Sequence, residues 1–372
     1  MAATSTGPTP REQDLLRRAR KGDEAAYRTL VETYRGELHA HCYRMLGSVH
    51  DAEDALQDAL LRAWRGLPRF EGRSSTRSWL YKIATNACLD AIGRRPKRVL
   101  PIDYAAATDP GAGPGEPVVE SVWIEPYPDE TLGLADGRAA PEARYEQREG
   151  IELAFIAALQ HLPASQRAVL ILREVLGFSA REVSEALDTS VASVNSALQR
   201  ARDSVDKRLP EQSQQATLRE VGDDEMTAIV NRYVDAWERN DVDAVVAMLT
   251  EDAAIAMPPL SSWFGPRDRF AEFLRMWPMT GRIRWKARKT SANGQPALGF
   301  YTWDDDAGAY LPFALNVLTF RGDKVADVVA FVVRTTQDVE SDEFKRWDQQ
   351  RAEDTRVIAV FERFGLPESL PA

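Results

Sequence analysis

Residues 178–202 carry side chains suited to reading the edges of DNA bases. Ser179 and Glu182 form a capping-box pair that begins one helix, and the segment 188–190 supplies a turn and the cap of a second helix. Val194 and Leu198 belong to the buried stripe of that second helix. The opposite face carries short hydrogen-bonding side chains and arginines: Ser190, Ser193, Asn195, Ser196, Gln199, Arg200 and Arg202. These side chains suit base edges and phosphates in a major groove, although two packed helices with a polar exterior would show the same pattern.

A second group lies in residues 69–95, where aromatic and cationic side chains alternate around a loop of small polar residues. Single-stranded DNA requires such a surface, because cations follow the phosphate backbone while aromatics or tight polar pockets receive unstacked bases. Trp79 shares a helical stripe with Ile83, so it fits a structural core equally well. The cationic residues are harder to assign to a core.

A third group is the helix predicted over residues 50–67, which has one polar and one apolar face. The spacing alone favours an ordinary amphipathic helix with i,i+4 ion pairs such as Asp58 with Arg62.

Metal and acid–base chemistry are weaker interpretations. His39 and Cys42 could share a helix face, but His41 could not, and a fourth ligand is missing nearby, so no metal and no cofactor are expected. The C-terminal third has no histidine. Asp252 and Asp327 are its candidate pocket carboxylates, and both fit ordinary loop or hairpin positions.

The pattern of helices, strands and linkers around these three groups predicts a multidomain chain. Helices fill residues 12–98 and 143–209, with a Pro- and Gly-rich acidic linker over 99–142 and a polar linker over 210–223. Residues 224–334 begin with helices and continue with strand-like runs, which predicts an α+β domain with a curved antiparallel sheet. Residues 335–372 form a charged tail.

Charge is distributed unevenly along the 372 residues, although the net charge is −10. Residues 69–98 hold eight Lys or Arg against two acids, while residues 103–149 hold eleven acids against three arginines. The positive charge of residues 69–98 favours binding to nucleic acid, although the net charge of the whole chain does not. The N-terminus lacks a signal peptide core, no apolar run would span a membrane, and two cysteines are too few for a disulfide framework, so a cytoplasmic protein is expected.

Three motifs in order resemble the extracytoplasmic-function (ECF) sigma factors of RNA polymerase: HCYRMLGSVHDAEDALQDALLRAW, then the FEGRSSTRSWLYKIATNACLD segment, then LPASQRAVLILREVLGFSAREVSEALDTSVASVNSALQRAR. The resemblance covers residues 14–98 and 145–209 and implies a sigma region-two domain and a region-four helix-turn-helix domain. It implies core RNA polymerase and promoter DNA as partners, for a chain that is monomeric when free and is not an enzyme. It also implies that the acidic linker threads towards the polymerase active centre.

The resemblance assigns roles to the three groups. The polymerase-contacting helix would use Asp51, Glu53, Asp54, Gln57, Asp58, Arg62 and Trp64. The minus-ten element would be melted and bound by Arg69, Phe70, Arg73, Ser74, Ser75, Thr76, Arg77, Trp79, Tyr81, Lys82, Asn86, Arg94 and Arg95. The helix after Ser190 would read the minus-thirty-five element, but Asn195 and Ala197 are neutral where the family often has a basic pair, so base preference there stays open.

Residues 224–334 resemble the SnoaL-like branch of the NTF2-like cone fold, an appendage that a subset of these sigma factors carries. The resemblance implies regulation in cis. Aromatic residues could hold a small apolar ligand or simply fill the cone: Trp237, Trp263, Phe264, Trp285 and Trp303.

Two alternatives remain. A one-component helix-turn-helix regulator with a ligand-sensing domain predicts DNA binding without polymerase, but it leaves residues 50–98 unexplained. A small-molecule enzyme of the cyclase or isomerase type predicts turnover by the C-terminal domain.

Overall fold

The computed structural model describes residues 9–115, 117–118, 122–132, 148–333 and 360–372. The chain forms two compact units, of which the first combines Met1–Arg98 with Glu130–Pro210 and the second combines Val99–Asp129 with Glu211–Ala372. Parts of the predicted acidic linker and region-four domain (133–147) and most of the predicted tail (335–359) lie outside the described residues. Within the described residues, no helix is long and apolar enough to span a membrane.

The first unit is helical. Its helices are α1 (Pro10–Ala19), α2 (Glu24–Leu46), α3 (Val49–Gly66), α4 (Thr76–Ile92), α6 (Leu153–Gln160), α7 (Ala164–Leu170), α8 (Ala180–Ala186) and α9 (Val191–Val205), with a π-helical turn at Ile171–Val175. Serine side chains accept a hydrogen bond from the first helical turn at Ser48, Ser75, Ser179 and Ser190, which fixes where four of these helices begin.

The core of the helical unit includes the buried histidine His41. The His41 Nε2 lies 2.9 Å from Thr85 Oγ1, and Thr85 donates its own proton to the Tyr81 carbonyl at 2.7 Å. Thr85 therefore accepts from a neutral His41, and burial lowers the pKa of this imidazole to about 3. No group of three potential metal-ligating side chains occurs among the described residues.

The second unit contains a six-stranded sheet in the order β2-β1-β6-β5-β4-β3, in which only β1 and β6 pair in parallel. The strands are β1 (Leu249–Ala256), β2 (Trp263–Phe264), β3 (Trp285–Ala292), β4 (Gln295–Asp304), β5 (Ala309–Arg321) and β6 (Lys324–Val332). The helices are α5 (Pro101–Tyr104), α10 (Gln214–Val221), α11 (Asp223–Glu238), α12 (Val242–Ala247) and α13 (Arg267–Met276).

The sequence predicted the β5–β6 hairpin from its turn, and the structure has it, with Arg321 opposite Lys324 and Gly322 at φ 59°. Side chains alternate along these strands, so Leu318 and Val328 point into one apolar core with α11 and α13.

Segments predicted as linkers and tail pack against this sheet domain. In α10, the buried Gln214 side chain donates to the Phe320 carbonyl at 2.8 Å and accepts from the Phe320 amide at 2.7 Å. Residues 99–129 bury Trp123, Ile124 and Tyr127. Near the C-terminus, Leu370 and Tyr310 exchange two backbone hydrogen bonds. The folded sheet domain thus uses residues on both sides of the predicted 224–334 span.

Candidate nucleic-acid interface and ligand cavity

Helix α9 presents the candidate base-reading residues together. Val194, Leu198 and Ala201 are buried beneath it. All of the predicted upstream-element residues, Ser190, Ser193, Asn195, Ser196, Gln199, Arg200 and Arg202, are exposed. Ser190 also caps the helix, and Gln199 and Arg202 pair with Asp203 and Glu174. The arrangement of a short helix, a turn at Asp188 with φ 49° and an exposed polar helix is a helix-turn-helix.

The candidate single-strand-binding group divides into exposed and buried members. Arg69, Arg73, Ser74, Ser75, Arg94 and Arg95 are exposed, Arg77, Trp79, Lys82 and Asn86 are partly buried, and Phe70, Thr76 and Tyr81 are buried. Phe70 stacks on Trp79 with ring centroids 4.7 Å apart, and both rings pack against a small apolar cluster with Leu67. The two rings therefore pack together where the loop of residues 71–75 begins and ends, and the residues of that loop are exposed.

Arg77 lies in an ion-pair network that fixes its position. Its guanidinium lies 3.1 Å from the Glu37 carboxylate and 4.8 Å from the centroid of the Tyr81 ring. Burial opposes the charge on Arg77, but Tyr81 and Glu37 raise its pKa overall. Burial and the charge of Glu37 likewise raise the pKa of the Tyr81 hydroxyl. Arg77 thus stays charged although it is partly buried.

The helix-turn-helix lies against this group within the first unit. Lys82 Nζ donates to Asp188 at 3.0 Å and to the Glu185 carbonyl at 2.7 Å, and Ser78 donates to Glu182 at 3.3 Å. Partial burial acts to raise the pKa of Glu182, but the hydrogen bonds from Ser179 and Ser78 lower it overall. In this arrangement the ammonium group of Lys82 is paired within the chain.

The polymerase-contact candidates on α3 also divide by exposure. Asp54, Gln57 and Asp58 are exposed, whereas Glu53, Arg62 and Trp64 are partly buried. Asp51 is 4% exposed and is enclosed by two arginines, with Arg98 at 2.5 Å and Arg95 on its other oxygen. The two arginines bind both carboxylate oxygens, so Asp51 holds α3 to the segment that follows α4.

The sheet domain contains a partly open apolar cavity of about 90 Å³ between its concave face, α11 and α13. Trp237 and Trp285 line it as the sequence proposed, together with Phe300 and Phe313. Phe264 instead stacks on Phe273 with centroids 4.1 Å apart, Trp303 stacks with Arg284, and Trp263 donates to the Ala105 carbonyl. No titratable residue lines the cavity among the described residues.

The two candidate carboxylates lie away from the cavity. Asp252 is exposed and pairs with Arg321 at 3.0 Å, and hydrogen bonds from Thr250 and Arg321 lower its pKa. Asp327 precedes the cavity-lining Ala330 by an odd number of residues, so it points to the opposite face of β6. Burial and the charge of Asp252 raise the pKa of Asp327 to about 7.

Three features were missed by the sequence prediction: the docking of α8 on Lys82, the docking of residues 99–129 on the sheet domain, and Asn316 as the polar residue of the cavity. Only Asn316 had a readable signal, because it interrupts the inward-facing apolar positions of a strand predicted at 311–320.

Comparison with known proteins identifies three segments of the chain: two helical segments and the sheet domain. Family models match residues 30–98 (Sigma-70 region 2), 152–205 (Sigma-70, region 4) and 230–328 (SnoaL-like domain). The ECF RNA polymerase sigma factor SigG of Mycobacterium tuberculosis H37Rv is 39% identical over 363 residues, covering 94% of this chain and 86% of that protein. SigW of Bacillus subtilis is 30% identical over 52% of this chain and 94% of its own length.

A solved structure supports the fold. The M. tuberculosis extracytoplasmic function sigma factor SigJ superposes with a TM-score of 0.51 at 22% sequence identity, covering 85% of this chain and 98% of SigJ. The predicted fold class, two helical sigma domains followed by an NTF2-like α+β domain, is confirmed. With SigG matched along nearly its whole length, the chain belongs to the ECF RNA polymerase sigma factor family.

Proposed function

We propose that this chain binds core RNA polymerase and directs it to specific promoters, with its SnoaL-like domain regulating that activity in cis. The observation that carries the proposal is the exposed polar face of α9 on a helix-turn-helix, in one chain with an exposed loop of Arg73, Ser74 and Ser75 next to the stacked rings of Phe70 and Trp79. The first surface suits a duplex upstream element and the second suits melted bases. The chain is proposed to act as a monomer. It is also proposed not to act as an enzyme, since no acid or base lines the cavity among the described residues.

Polymerase contact is proposed for the exposed side of α3, with Asp54, Gln57 and Asp58 as the contacting residues. Asp51 supports that surface from within. For the minus-ten element, the exposed Arg73, Ser74 and Ser75 are proposed to contact the DNA, while Phe70 and Trp79 support the loop. Because Lys82 pairs with Asp188 here, its use in DNA binding requires α8 to separate from α4.

Regulation in cis is supported by the linker between the two sigma domains. Residues 99–129 belong to the same compact unit as the SnoaL-like domain, held by backbone bonds such as Val118 N to the Pro259 carbonyl at 2.9 Å. A linker fixed at many points limits how far the two DNA-binding domains can separate. Deleting residues after 210 is expected to change transcription from a cognate promoter, and unchanged transcription would refute the regulatory proposal.

A gel shift with and without core polymerase tests the main proposal. A chain of net charge −10 has little long-range attraction for phosphate, so we expect weak binding to duplex promoter DNA alone and specific binding with core enzyme. Tight, specific binding by the chain alone would instead support a one-component regulator.

A further inference from the structure

The cavity of the SnoaL-like domain combines apolar walls with unpaired polar atoms. Asn316 is 3% exposed and Trp237 is 4% exposed, and both line the cavity. Asn316 Oδ1 and Trp237 Nε1 have no hydrogen-bond partner among the described residues. The neighbouring Tyr233 hydroxyl lies within reach of the Trp237 indole but forms no hydrogen bond of good geometry with it. Buried polar atoms without partners are uncommon, and a ligand that pairs with them would explain why they stand here.

These two atoms define the polarity of a ligand. Asn316 Oδ1 accepts a hydrogen bond, whereas Trp237 Nε1 can only donate one. A hydroxyl group can donate to the first and accept from the second. No titratable residue lines the cavity among the described residues. A charged ligand would lose its hydration there and find no opposite charge, so the lining disfavours it. The chemistry therefore favours an uncharged, mainly apolar molecule with one hydroxyl group.

One wall of the cavity is the inter-domain linker itself, through Pro114. Two tryptophans hold the segment around it, with Trp277 Nε1 donating to the Pro110 carbonyl and Trp263 Nε1 to the Ala105 carbonyl, both at 2.8 Å. Ser262 also donates to the Pro114 carbonyl. The backbone N–H of Val118 donates to the Pro259 carbonyl at 2.9 Å, so the described residues of 105–118, here called the cavity-closing segment, are held both before and after Pro114.

Gly113 is required for this seating. Its backbone has φ 77° and ψ −178°, a region that is almost exclusive to glycine. A Cβ atom at this position would lie 2.8 Å from the Trp277 ring. Gly111, two residues earlier in the same segment, has an ordinary φ, and a Cβ there would meet only the Asp109 side chain at 3.3 Å. The two glycines therefore make a matched pair of sites for substitution.

The cavity is small while the segment is seated. Its volume of about 90 Å³ is below the roughly 150 Å³ of an engineered cavity that accommodates benzene. A molecule with one or two rings therefore needs a lining residue to move before it can reach Asn316. Among the described lining residues, Pro114 alone belongs to the inter-domain linker, so its displacement leaves the strands and helices of the sheet domain in place.

We propose that the SnoaL-like domain binds an uncharged, mainly apolar molecule carrying a hydroxyl group, and that this molecule competes with residues 105–118 for the cavity. Binding would release the linker between the two sigma domains, which gives the regulation in cis, on which this inference rests, a direct physical route. Because the two occupants exclude each other, anything that weakens the seating of the segment must strengthen ligand binding by the same factor.

The test uses 2-naphthol as the probe and naphthalene as its matched control, titrated calorimetrically into the full-length chain. Gly113→Ala should bind 2-naphthol about tenfold more tightly than the unmodified chain, whereas Gly111→Ala should stay within about twofold of it. Naphthalene should bind at least about fivefold more weakly than 2-naphthol, the effect of two hydrogen bonds. Asn316→Leu should reduce that preference to about two- to threefold, because Trp237 Nε1 can still donate to the hydroxyl oxygen.

Hydrogen exchange supplies the structural readout. Saturating 2-naphthol should accelerate exchange of the Thr108 and Val118 amides, which donate to Trp263 and Pro259 in the seated segment. Slower exchange of these amides, or weaker binding by Gly113→Ala, would overturn the inference by showing that the segment is part of the binding site. No binding to either the unmodified chain or Gly113→Ala would overturn it as well.

Transcription with core polymerase separates this inference from the proposed function. If 2-naphthol releases the segment but leaves transcription unchanged, the competition stands and regulation in cis fails. If removing the domain changes transcription while 2-naphthol neither binds nor releases the segment, regulation in cis stands and the competition is refuted.

Discussion

Replacing Asp51 by Asn tests whether this residue supports the polymerase-binding surface or belongs to it. Asp51 is 4% exposed and Arg98 is 7% exposed, so the pair is buried, while the second partner, Arg95, has a side chain that is 39% exposed. Removing one partner of a buried pair costs about 3–5 kcal/mol. Because water can reach Arg95, we expect the lower end, about 3 kcal/mol.

The matched control is Asp58→Asn on the same helix. Asp58 pairs with Arg62 at 2.7 Å, and both side chains are about half exposed. An exposed i,i+4 pair contributes only about 0.2–1 kcal/mol, so the free energy of unfolding should hardly change. If Asp58 contacts polymerase directly, however, its substitution should weaken core binding.

Hydrogen exchange of α3 and α4 in the full-length chain measures both changes, because local opening reports the stability of each region. Asp51→Asn should accelerate exchange of the protected amides about 100-fold, and Asp58→Asn about fivefold or less. If Asp51→Asn leaves the exchange rates of α3 and α4 unchanged but loses binding to core polymerase, Asp51 does not support the surface from within. It would then belong to the polymerase-contacting residues.

Three further substitutions follow from the structure. His41→Gln should reduce the loss of stability on acidification. The pKa of His41 is about 3 in the folded state and about 6.5 in the unfolded state, so the unmodified chain should lose about 2 kcal/mol between pH 7 and pH 5 as the unfolded state takes up a proton. Urea unfolding at both pH values measures this loss, and an equal loss in the variant would contradict the assignment. Gln214→Ala should destabilise the sheet domain by about 2–4 kcal/mol, because it leaves the Phe320 amide and carbonyl unpaired. Gln212 is exposed, so Gln212→Ala should leave the stability unchanged. Thermal unfolding followed by tryptophan fluorescence measures both changes. Arg200→Ala should weaken promoter binding by the polymerase complex about fivefold and reduce its salt dependence by about one phosphate contact, and an unchanged salt slope would argue against a phosphate contact.

The sequence predicted those features that depend on local pattern. The caps at Ser179 and Ser190 and the buried stripe through Val194 and Leu198 are short-range signals, and the structure places the predicted polar residues on the opposite, exposed face of α9. The hairpin at Gly322 was readable for the same reason, because its turn residues are adjacent in the chain.

The remaining features depend on distant contacts that no local pattern encodes. In the sequence, Asp51 is one of several acids on a polar helix face. Its ion pairs with Arg95 and Arg98 form because the segment after α4 returns to α3, and no local pattern encodes that contact. The acidic, Pro- and Gly-rich composition of residues 99–142 predicted a poorly folded linker. Tyr127 nevertheless packs on the sheet domain, where its backbone N–H donates to Asn293 Oδ1 at 2.8 Å, and Trp123 is buried against the Tyr104 ring of the same linker.

Run-off transcription with purified core polymerase on a library of promoters tests the central claim most directly. Adding the full-length chain should produce transcripts from a subset of promoters that share two elements at a fixed spacing, and core enzyme alone should not. A chain with the exposed face of α9 replaced by alanine at Asn195, Ser196 and Gln199 should lose the upstream preference while still binding core enzyme. Transcripts that do not depend on the chain, or a chain that fails to associate with core polymerase, would contradict the account.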